Sequence, residues 1–108
     1  MANRRMFARS VVETDAFLDM PASAQALYFH LGMAADDEGF LGNARSVQRS
    51  MGASADDLKV LEGKSYIVVF DTGVVYLPHW AMNNQIRKDR FTATAYQAER
   101  LALGGVSE

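Results

Sequence analysis

The 108-residue sequence predicts a single α+β domain, mainly helical, in which three helices precede a short β-hairpin and a last helix follows it. Three observations predict it. The length is that of one domain, since domains cluster near about 100–150 residues. Apolar residues make up 49% and charged residues 22%, a globular balance unlike that of disordered chains. The hydrophobic period then changes along the chain, from helical spacing to the β-branched and aromatic runs 66–70 and 74–77.

The elements follow in order. Residues 1–12 read as a basic and apolar lead-in arm, with Val11 and Val12 strand-like. Asp15 to Leu18 suit one helical turn capped by Thr14 or Asp15. A helix over 21–33 begins on Pro21, which is welcome in a first turn, and places Ala24, Leu27, Tyr28 and Leu31 on one face. The acidic run Asp36-Asp37-Glu38 with Gly39 breaks it and reads as a solvated loop. Phe40-Leu41 is a strand stub. Asn43 is a candidate N-cap for a helix over 44–51, with Val47 and Met51 on one face and Arg45 and Arg49 on the other. Gly52 is the residue expected just past its end. Ser54 and Asp57 form a capping-box pair for a helix over 54–63, whose inward face is Leu58 and Leu61. Two short helices joined by Gly-Ala-Ser form a helix-turn-helix. Asp71-Thr72-Gly73 connects the two strand runs as a three-residue hairpin loop, and Pro78 ends the second strand. Residues 79–86 follow neither period. A final helix over 95–103 has Thr94 as cap and Gln97 as its reciprocal partner.

This is the order of a winged helix-turn-helix: residues 1–103 make the domain, the 66–77 hairpin is the wing, the 40–41 stub pairs with it as a third strand, and 104–108 is a frayed tail.

Several function classes drop out. There is no cysteine, which excludes disulfides, thiolate metal sites and cysteine nucleophiles. No run of 18 apolar residues exists to span a membrane, and the arginines at the N-terminus lack the apolar stretch of a signal peptide, so the expected address is cytoplasmic. Gly39-Phe-Leu-Gly42 lacks the lysine and spacing of a phosphate loop, and the 36–39 run lacks the alternation of a calcium loop. His30 and His79 read as structural or surface histidines. No catalysis, metal or cofactor is expected.

Charge points to the remaining classes. The net charge is −2, but both ends are basic and the middle is mostly acidic. Arg4, Arg5 and Arg9 lie in the arm, Arg45 and Arg49 on the second helix, Lys59 on the third, and Arg87, Lys88 and Arg90 after the wing. Most of these are arginines, which suit bidentate phosphate contacts. If they converge on one face, they give salt-dependent, weakly specific DNA binding. The helix over 54–63 occupies the usual reading position, but Asp56 and Asp57 in its first turn repel phosphates. Trp80 either anchors the wing to the body or stacks on a base, with Tyr76 or Phe91 beside it. Asn83, Asn84 and Gln85 either contact bases or close a turn. Met6 and Phe7 either cover a neighbour's surface or pack back on this chain's own helices.

The segments Met1-Ala-Asn-Arg-Arg-Met-Phe7, Asp15-Ala-Phe-Leu-Asp-Met-Pro21 and Ala26-Leu-Tyr-Phe-His-Leu31 resemble the N-terminus of phage replisome organisers. So do Asp36-Asp-Glu-Gly-Phe40, Gly73-Val-Val75, His79-Trp80 and Lys88-Asp-Arg90. These are DnaD-like replication initiation proteins of phages and prophages of Gram-positive bacteria, and the resemblance runs from Arg4 to about Leu101. It implies an N-terminal winged helix that self-associates, with a C-terminal domain usually following, which engages DNA and other replisome proteins. The expected function is therefore a non-enzymatic module for replication initiation. It would contribute weak contact with double- or single-stranded DNA, self-association, or both, alongside host or phage replisome proteins. A winged-helix transcriptional regulator and a purely protein–protein oligomerisation module are the alternatives.

Overall fold

A computed structural model of the chain describes residues 6–80 and 94–103. The chain is α+β, with helices arranged around a small antiparallel sheet of three strands.

The segment after the arm is a single helical turn, α1 (Arg9–Val12), where a strand-like run was expected at Val11 and Val12. Among the described residues no strand pairs with it, and one turn satisfies its amides: Val11 and Val12 both donate to Ala8 O, at 2.9 and 3.1 Å. The turn also delivers Val11 into the core, where it is buried. A second turn, α2 (Asp15–Leu18), is capped by Thr14, whose hydroxyl oxygen accepts from Phe17 N at 3.2 Å.

The main helix is α3 (Ala22–Ala34), which begins just after Pro21. Its face of Ala24, Leu27, Tyr28 and Leu31 is fully buried, as the 3.6 period requires. Phe7, Phe17, Tyr28, Phe29 and Tyr66 pack edge-to-face around it, with neighbouring ring centroids 4.9–6.1 Å apart. Phe7 thus packs back on its own chain, and Met6 stays half-exposed.

The stub β1 (Phe40–Leu41) leads into α4 (Ala44–Ser50) and α5 (Ala55–Gly63), the two helices of the helix-turn-helix. Asn43 precedes α4 but makes no cap hydrogen bond; its φ of −122° and ψ of 33° are not the extended values that aim a capping side chain. The capping box of Ser54 and Asp57 is present on α5. The hairpin follows as β2 (Val68–Val69) and β3 (Val75–Tyr76), closed by Phe70 N to Val74 O at 2.9 Å around the 71–73 loop. The stub pairs with this hairpin, giving the order β1-β3-β2 with Phe40 opposite Tyr76.

The last helix, α6 (Gln97–Ala102), starts two residues later than expected. Thr94 does not cap it. Its hydroxyl oxygen accepts from Tyr96 N at 3.1 Å, and Gln97 Nε2 donates to Thr94 O at 2.7 Å, so Thr94 closes a turn ahead of the helix. Among the described residues no helix is long and apolar enough to cross a membrane. The tail over 104–108 lies outside the described residues.

Candidate nucleic-acid interface

The acidic run 36–38 is a packed hub and not a solvated loop. Asp37 is buried, and Trp80 Nε1 donates to its carbonyl at 2.9 Å. Asp36 Oδ1 accepts from Glu38 N and Phe40 N, at 2.9 and 3.0 Å, and its other oxygen takes the hydroxyl of Thr94. Glu38 accepts from Thr94 N at 2.9 Å and from Arg100 Nε at 2.7 Å. Thr72 in the hairpin loop donates to Glu99 on α6 at 2.6 Å. The carboxylates are occupied because a turn with several inward N–H groups needs acceptors when it is covered. Trp80 is therefore the anchor of the hairpin's end and not a stacking platform. Tyr76, half-buried against Phe40 at 4.7 Å, is held by the sheet. Burial, and then the nearby Glu38 carboxylate, raise its phenol above the ordinary value of 10.0.

Clearing these charges leaves a short roll of cations. Arg9 forms an exposed ion pair with Glu13 at 3.1 Å. Lys64 Nζ donates to Ala16 O at 3.1 Å, and Arg100 is held by Glu38. Among the described residues, the side chains of Arg45, Arg49 and Lys59 have no hydrogen-bond or ion-pair partner, and all three residues are exposed. They stand on the two helices of the helix-turn-helix. Arg45 and Arg49 are one turn apart on α4, so they share a face.

Arg45 and Lys59 line one cleft of about 450 Å³ between α4, α5 and the hairpin. Leu58, Phe70 and Val75 line it as well, as do Glu62 and Asp71. Arg9, on α1, is not among its lining residues. Arg4, Arg5, Arg87, Lys88 and Arg90, with Phe91 and Asn83 to Gln85, lie outside the described residues.

The first turn of α5 is less acidic to an approaching phosphate than its sequence implies. Asp57 is buried: its Oδ2 accepts from Ser54 N at 3.1 Å and its Oδ1 from Ser23 Oγ at 2.9 Å. Only Asp56 is exposed there. Two residues of the cleft went unread in the sequence. Asn43 looked like a cap, and no local signal distinguishes a cap from a free amide. Phe70 looked like the last residue of a strand, and only the fold places it beside α4 and α5.

His30 is exposed on α3, and His79 packs against Tyr66 at 5.6 Å. Among the described residues, no group of three or more His, Asp or Glu could hold a metal ion.

Comparison of the chain with protein-family models, with curated proteins and with solved structures gave no match.

Proposed function

We propose that the chain is a winged-helix module of a phage or prophage replication initiation protein, acting in the cytoplasm without catalysis and binding DNA through its helix-turn-helix. The order of helices, hairpin and pairing stub supports the winged-helix reading, and the family resemblance supplies the link to replication. One observation carries the DNA contact. The described cations left without a protein partner are the three on α4 and α5, and every other described cation is engaged at home. Unpaired guanidinium and ammonium groups on one pair of helices are what phosphates neutralise, with little regard to sequence.

The test is fluorescence anisotropy of labelled oligonucleotides across a salt series. Binding is expected to weaken steeply with salt. Arg45→Ala and Arg49→Ala are expected to weaken all sequences alike, each reducing the salt slope by about 1. Absence of binding at low salt refutes the reading.

Self-association is the second contribution, favoured by a groove of about 430 Å³ between α3 and α4. It is lined by Met33, Val47 and Met51, and Met33 is 56% exposed. Sedimentation velocity over a concentration series is expected to show a larger species that Met33→Lys removes.

A further inference from the structure

We infer that the cleft between α4, α5 and the hairpin is a site for an unpaired nucleotide, so that the module prefers single-stranded over duplex DNA. The inference rests on the DNA-binding reading and adds the form of DNA. The cleft of about 450 Å³ falls within the range of small-molecule sites, about 300–1,000 Å³, and a rigid duplex cannot enter a space that size. Its lining combines what single-strand binding uses: cations for the backbone and an aromatic and apolar wall for bases. Arg45 and Lys59 supply the first, with no partner of their own among the described residues. Phe70, half-buried at the end of β2, supplies the second together with Leu58 and Val75.

The cleft carries charges of both signs. Arg45 is in the first turn of α4 and Lys59 in the middle of α5, whereas Glu62 is near the end of α5 and Asp71 in the hairpin loop. A phosphate belongs at the first pair. The carboxylates suit a base edge bearing an exocyclic amine, as cytosine and adenine do. By contrast, the exposed part of α5 offers a major groove one cation, Lys59, beside Asp56 and Glu62, which is poor equipment for reading a duplex.

The experiment compares one sequence as a single strand and as a duplex, with the intact chain and with Phe70→Leu, Arg45→Ala and Lys59→Ala. The single strand is expected to bind more tightly. Phe70→Leu keeps an apolar side chain but no ring; it is expected to weaken single-strand binding about tenfold and leave duplex binding unchanged. A strand carrying 5-iodouracil, irradiated with the unaltered chain, is expected to crosslink at Phe70, which tests the site even if the variant folds poorly. Equal or tighter binding of duplex, or crosslinks confined to other residues, overturns the cleft site and leaves the DNA-binding reading standing. If neither form binds at low salt, both fall.

Discussion

Two adjacent aspartates show how far identical side chains diverge once the backbone places them. Asp57 is buried at the start of α5 and accepts from Ser54 N and Ser23 Oγ, while Asp56 faces solvent. Removing Asp57 deletes two charge-assisted hydrogen bonds, one of them the return half of the capping box, so Asp57→Ala is expected to cost about 2 kcal/mol in urea unfolding. Asp56→Ala is expected to leave stability within about 0.5 kcal/mol, because it removes only a surface charge. It is also expected to tighten DNA binding by relieving repulsion at a helix end near the cations. Tyr76 gives a separate test by pH. Its phenol keeps its proton to higher pH in the folded chain than in the unfolded one. The unfolded state therefore releases that proton first, and stability is lost as pH rises above about 10 and through the folded value, with the full contribution present below. Tyr76→Phe removes this site, so its stability is expected to fall less between pH 10 and 12 than that of the parent chain.

The ends of the two short helices differ in the same way. Both close with paired hydrogen bonds: Gly52 N to Arg49 O and Ala53 N to Gln48 O after α4, Ser65 N to Glu62 O and Tyr66 N to Leu61 O after α5. This closure needs a left-handed residue. Gly52 provides it at φ 78° without a Cβ to crowd the next carbonyl, but after α5 the position falls on Ser65, at φ 66°. Ser65→Gly is therefore expected to stabilise the chain by about 0.5–1 kcal/mol, read as a higher urea midpoint at unchanged slope. Apart from the pairing of Phe40-Leu41 with the hairpin, which follows from the order of elements, what was legible in the sequence was of this local kind: the Ser54–Asp57 box, the Asp-Thr-Gly loop and the buried face of α3. Each rests on contacts within a few residues or on a regular period. What was not legible depends on distant parts meeting. The fate of Asp36 to Glu38 is decided by Thr94 and Arg100, 56 to 62 residues on. The helical turn at Val11 is decided by the core it fills, which overrides the β preference of valine. The cleft is decided by α4, α5 and a hairpin that no local pattern brings together.

At the scale of the whole molecule, net charge misleads. A chain at −2 is a poor candidate for an anionic partner until its charges are sorted by what they touch. Among the described residues the carboxylates Asp36, Glu38, Asp57 and Glu99 are consumed in holding elements together, and Arg45, Arg49 and Lys59 remain free on one pair of helices. The number of cations that meet DNA follows from the salt dependence, since the logarithm of the binding constant falls with that of salt by about 0.9 per phosphate neutralised on a duplex. The three free cations among the described residues give an expected slope of about −3, and substitution of all three by alanine is expected to leave it nearly flat. The steeper alternative would be a slope near −8 that the triple substitution reduces by only about a third. That result would move the interface to the basic residues of the arm and those after the hairpin, and it would overturn the assignment to the helix-turn-helix. Because Arg9 already holds Glu13, Arg9 must give up an ion pair to join such an interface. The helix-turn-helix cations give up nothing, which is the physical reason for expecting the shallower slope.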